Sequence, residues 1–106
     1  LLQCNDPVSA LEFFESSLKV LVDNNINEDL TLGAYYSDLG YLCVQLGEMK
    51  KAETYYNKSY SYLKKYPNDY QYAYLLNNMG DYYHWLSNFN KAKFYYEESL
   101  KMTETQ

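Results

Sequence analysis

The chain repeats itself. The stretch 73–101, AYLLNNMGDYYHWLSNFNKAKFYYEESLK, superposes on the stretch 33–61, GAYYSDLGYLCVQLGEMKKAETYYNKSYS, at a constant shift in numbering of 40. Gly40 matches Gly80, Leu46 matches Leu86, Ala52 matches Ala92, Tyr56 matches Tyr96 and Ser59 matches Ser99. A partial copy opens the chain: Ala10, Phe14, Ser17 and Leu18 repeat the spacing that starts again at Ala52. A fixed period of this length marks stacked supersecondary units, each too small to bury its apolar face without a neighbour.

Within a unit the period is helical. Leu76, Met79, Tyr83 and Leu86 recur at three- and four-residue steps, one face of a helix. Ala92, Tyr95, Tyr96, Ser99 and Leu100 do the same beyond a polar turn at Ser87–Asn90. The first helix starts cleanly at Asn5-Asp6-Pro7, where Asp6 caps and Pro7 suits the first helical position, and runs to about Val22. After the polar break DNNINE (23–28), helices are expected over 29–46, 48–65, 70–86 and 90–103. Pro67 bars the residue before it from staying helical, which ends the third. The expectation is all-α: about five helices in antiparallel hairpins, divided as 1–28 (half a repeat), 29–68 and 69–106.

Two glycines set the geometry. Gly40 and Gly80 stand mid-helix, where glycine costs about 1 kcal/mol relative to alanine. Glycines kept at such positions imply a helix passing close by. Ala52 and Ala92 are the expected opposite side of that crossing, with Tyr56 and Tyr96 wedged between neighbouring hairpins.

The Leu39-Gly40 and Met79-Gly80 pairs in the first helices, with Ala52/Tyr56 and Ala92/Tyr96 in the second, resemble the tetratricopeptide repeat. The resemblance covers nearly the whole chain and implies an α-solenoid with a right-handed superhelix. The period exceeds the usual length of about 34 residues and is similar to the long-repeat variants of kinesin light chains and bacterial peptide-sensing regulators. Some positions depart from the family pattern. Tyr36 and Leu76 stand where Trp is typical, Cys43 where Tyr is typical, and Ser87 replaces the turn glycine.

Composition excludes several functions. A net charge of −5 argues against nucleic acid, which demands clustered cations. The chain has no Arg, so no guanidinium clamp for phosphate or carboxylate exists within it. Cys4 and Cys43 make no disulfide framework, and Cys43 falls on an apolar helix face as a small core residue. The only histidine, His84, forms an i,i+3 pair with Asp81, read as a polar surface pair. Catalytic, metal and cofactor sites are not expected: no nucleophile motif, zinc spacing or phosphate loop is present. No apolar run is long enough to span a membrane. A cytoplasmic protein is the expectation. Starting at Leu1-Leu2 inside a repeat, the chain reads as a piece of a longer protein, with Leu1–Cys4 the tail of a preceding helix. Thr103–Gln106 is too short for a capping helix, so self-association through open repeat ends is expected.

Stacked repeats curve into an extended concave surface, and the resemblance implies that the first helices line it. On that register Ala34, Ser37, Tyr41, Val44 and Gln45 point inward, followed by Tyr74, Asn77, Asp81, His84 and Trp85. The candidate peptide-binding set is Ser37, Tyr41, Gln45, Tyr74, Asn77, Asp81, His84 and Trp85, with Asn78 the alternative to Asn77 if the register shifts by one. The lysines fall mostly on second helices, the solvent side. Chaperone-tail binders of the family use a clamp of Lys, Asn and Arg. Here Ser37 and Tyr41 occupy two clamp positions, so an acidic C-terminal tail is not the expected ligand. The expected function is a non-enzymatic scaffold that binds a protein or peptide. The alternatives are the sensing domain of a bacterial peptide-responsive regulator and a structural self-assembly element.

Overall fold

Glycine at the crossing points and serine further along the second helices dictate how the hairpins close. The computed structural model describes residues 6–25 and 28–104, and among these it has five α-helices and no strand. They are α1 (Pro7–Asp23), α2 (Asp29–Gln45), α3 (Met49–Leu63), α4 (Tyr70–Trp85) and α5 (Phe89–Glu104). The expected helix tail Leu1–Cys4 lies outside the described residues. Caps fix the starts: Asp6 accepts from the backbone N–H of Val8 and Ser9, and Asp69 from that of Gln71. Both hairpin turns share one geometry. Gly47 N–H donates to Val44 and Glu48 N–H to Cys43; one repeat later, Ser87 N–H donates to His84 and Asn88 N–H to Tyr83. That pair of hydrogen bonds is the Schellman ending, which needs a left-handed residue after the cap. Gly47 (φ 77°) and Ser87 (φ 60°) supply it.

The close approach within each hairpin corrects the expected glycine–alanine contact. A Cβ on Gly40 would lie 2.5 Å from the Tyr56 ring, and one on Gly80 would lie 2.6 Å from the Tyr96 ring. The glycines therefore seat an aromatic face, with Ala52 and Ala92 buried alongside in the same second helices. A Cβ on Gly33 would strike the Leu63 side chain in the same way. Pairs 33/63 and 40/56 approach in opposite chain directions, which makes α2 and α3 antiparallel. Serine ties lock the far end: Ser59 Oγ donates to the Gly33 carbonyl at 2.7 Å and Ser99 Oγ to the Ala73 carbonyl at 2.8 Å.

Stacking then joins the hairpins. The helix α4 packs on both α2 and α3, and α1 packs on α2. Leu39, Cys43, Leu63 and Leu75 are fully buried in the resulting core, each leucine contributing about 1.5–3 kcal/mol by leaving water. Cys43 is the core residue expected, and burial pushes its thiol up to about 11. One expected packing face is shifted in part. Leu86 is exposed, while Met79 and Tyr83 pack half-buried against the core as expected and Leu75, Leu76 and Tyr82 are the buried apolar side chains beside them. Tyr56 bridges the two repeats, its ring meeting Tyr82 edge-on at 6.0 Å.

The turns yield a paired test. Nothing lies within 4 Å of a Cβ on Gly47, so only its positive φ resists substitution. Urea unfolding should show Gly47→Ala destabilising by about 1 kcal/mol, and Ser87→Gly stabilising by about 0.5–1 kcal/mol.

Candidate functional site

The seam between α2 and α4 organises the surface that these first helices share. At its centre Asn78 Nδ2 donates to Ser37 Oγ at 3.0 Å, both side chains buried. A buried amide–hydroxyl pair in register fixes which residues of α2 and α4 can reach solvent on either side of it. Ser37 is therefore 0% exposed and belongs to the inter-repeat seam, not to an open surface. Asn78 is buried with it, while Asn77 next door is exposed.

Flanking the seam, Tyr41 of α2 and Tyr74 of α4 are both exposed over part of their rings. Burial raises the Tyr74 phenol above its ordinary value and the charge of Asp38 adds to this, against an opposing hydrogen bond with Asn78. Beneath the two rings lies Tyr56, whose hydroxyl is buried without a hydrogen-bond partner. Burial, then the Asp81 charge, holds that phenol well above its ordinary range. Asp81 accepts a hydrogen bond from the Tyr96 hydroxyl, which ties the acid to α5. Gln45 and Trp85, equivalent positions of successive repeats, are exposed one turn beyond Tyr41 and Asp81; Trp85 is 65% exposed. His84 is exposed at the end of α4, its ring edge-on to Phe89 at 5.4 Å across the hairpin turn. Of the expected set, Tyr41, Gln45, Tyr74, Asn77 and Trp85 are thus exposed along the two first helices, Asp81 is half-buried, Ser37 is buried in the seam, and His84 is exposed beside the hairpin turn.

Asp38 is the residue that sequence reasoning missed. It lines a cleft of about 490 Å³ with Ala34, Phe14 and the start of α4 (Asp69, Tyr70, Gln71). Burial raises its carboxyl above the usual range. A signal existed: Asp38 lies one helical turn from Ala34 and aligns with Asn78 of the next repeat.

The span 30–105 matches the family model of the tetratricopeptide repeat. The chain belongs to the tetratricopeptide repeat family. No curated protein and no solved structure matches it. Members of this family mediate protein–protein interaction as scaffolds. No group of three or more His, Cys, Asp or Glu among the described residues is placed to hold a metal, and none of their helices is long and apolar enough to cross a membrane.

The tyrosines make stability depend on alkaline pH. Burial, then the bond to Asp81, pushes the Tyr96 phenol up to about 12 from its ordinary value of 10.0. The folded chain holds this proton more tightly than the unfolded chain. The stabilisation is therefore complete below pH 10 and is lost as pH rises through about 12. Urea unfolding should show stability falling across that interval, with a shallower fall in Tyr96→Phe.

Proposed function

We propose that the α2/α4 face binds a short peptide segment of a partner protein, one carrying apolar side chains and at least one lysine or arginine. The observation that carries this reading is the pair of exposed rings, Tyr41 and Tyr74, on two helices held in register by the Asn78–Ser37 bond, with the half-buried acids Asp38 and Asp81 on the same helices. Tyrosine supplies large contact area at low entropic cost, and partly buried carboxylates favour a cation that restores the interactions lost with water. Tyr41, Tyr74 and Trp85 supply apolar area, while Asn77, Gln45, Asp38 and Asp81 fix the register of the guest. The repeats are already packed, so little binding energy goes into ordering the receptor.

Asp38 gives this reading an internal check. Its carboxyl is held protonated more readily in the fold, so its ionised form costs stability at neutral pH. A partner ammonium would offset that cost.

Trp85 fluorescence against a library of lysine-containing apolar peptides should show saturable binding. Replacing the lysine by glutamate should remove it. Tyr41→Ala should weaken the selected peptide about tenfold, or about 1.4 kcal/mol. Asp38→Asn should weaken it too while raising the melting temperature at pH 7. Unchanged affinity in both variants would overturn the proposal.

A further inference from the structure

A second cavity lies on the other side of α4. Tyr72, Leu76, Met79 and Tyr83 form its floor. These residues are two positions out of phase with Tyr74, Asp81 and Trp85, about 200° around the helix, so the cavity is not part of the α2/α4 face. Its walls are α3, through Asn57 and Tyr60, and α5, through Phe94, Tyr95, Glu98 and Met102. The volume is about 760 Å³, within the range of roughly 300–1,000 Å³ typical of ligand sites.

The preceding repeat shows what this place is built to contain. There Tyr36 of α2 and Tyr62 of α3 stack with centroids 5.8 Å apart and planes 5° from parallel. Tyr55 lies beside Tyr36 at 6.0 Å, and its hydroxyl reaches Glu15 of the previous second helix at 2.7 Å. Lys58 Nζ sits 5.4 Å over the Tyr36 ring. In the following repeat Tyr36 becomes Leu76, Tyr62 becomes Met102 and Lys58 becomes Glu98. The row of rings between second helices continues from one repeat into the next, but its stacked pair is replaced there by two aliphatic side chains.

Rings line the second position from other places: Tyr95 matches Tyr55, whereas Tyr60, Tyr72 and Tyr83 stand where the preceding repeat has Val20, Leu32 and Cys43. Tyr83 and Tyr95 are stacked at 5.5 Å and 4°, and Tyr60 and Tyr72 meet at 6.2 Å. Met79 and Met102 bring thioethers, which favour contact with ring edges. Asn57 offers a polar group at the rim for a phenolic hydroxyl, and Glu98 and Lys101 pair with each other at 2.9 Å there.

We propose that this α3/α4/α5 cavity is a separate binding site that takes the tyrosine side chain of a partner peptide. The guest phenol occupies the place that Tyr36 and Tyr62 fill in the first repeat. This site does not depend on the α2/α4 face, and its occupant needs no positive charge.

The test uses the full chain with methyl-labelled methionine and the peptide Ac-Gly-Ala-Tyr-Ala-Gly-NH2, followed by NMR. Saturable shifts are expected at Met79 and Met102, with nuclear Overhauser contacts from the peptide ring to both methyl groups. The leucine version of the peptide should bind about threefold to tenfold more weakly, the worth of a ring–ring contact. L76Y/M102Y rebuilds the stack of the first repeat and should abolish binding with helical content unchanged, while Tyr41→Ala should leave binding intact. Contacts to Tyr74 or Trp85 instead of the methionines would overturn the proposal without any variant having to fold. So would equal binding of the leucine peptide, which would make the cavity a general apolar patch. Binding of p-cresol as tight as that of the peptide would overturn the peptide assignment.

Discussion

The contact on which the structure rests is an aromatic ring pressed against a bare helix backbone. Tyr56 lies where a side chain on Gly40 would be, and Tyr96 where one on Gly80 would be. Glycine gives up about 1 kcal/mol of helix propensity at each position. In return the ring reaches the backbone, and the two helices close to a spacing that any Cβ would prevent. Once that spacing is set, the second-helix serines reach the first-helix carbonyls of Gly33 and Ala73. The same Tyr56 ring also meets Tyr82 of the following hairpin. One side chain therefore holds its own hairpin together and positions the next.

Function follows from how that stacking divides α4. One stripe of the helix enters the seam, where Asn78 bonds Ser37. A second stripe, Tyr74, Asp81 and Trp85, shares a face with α2. A third, Tyr72, Leu76, Met79 and Tyr83, floors the cleft between α3 and α5. The family assignment accounts for the scaffold. The chemistry of each face is set by a few side chains that the scaffold holds still: exposed tyrosines and half-buried carboxylates on one side, and a ring-lined cavity with methionine on the other.

Much of this was legible in the sequence because repetition supplies its own control. Helix ends, the Asp6 cap and the turn at Ser87 follow from local chemistry, and the turn recurs at the same place in both repeats. The interior role of Cys43 follows from its position on the apolar face. The partner of the glycines was not legible. Spacing places Ala52 and Tyr56 one turn apart on the same helix, and a flat ring can lie over a glycine as closely as a methyl group can. Nor was the fate of Ser37. A serine reads as polar and exposed, and only the three-dimensional register brings Asn78 to its hydroxyl. Asp38 was missed for the opposite reason: an acid reads as solvated until a neighbouring helix start covers it.

The most direct test of the ring-on-glycine account is a double-mutant cycle on Gly80 and Tyr96, read by urea unfolding at neutral pH. The account predicts that Gly80→Ala costs about 1–3 kcal/mol when Tyr96 is present, through overpacking. With Tyr96→Ala already in place, the same change should be neutral or stabilising by up to about 1 kcal/mol, since only helix propensity then acts. Equal cost in the two backgrounds would show that the ring does not rest on the glycine, and would contradict the account.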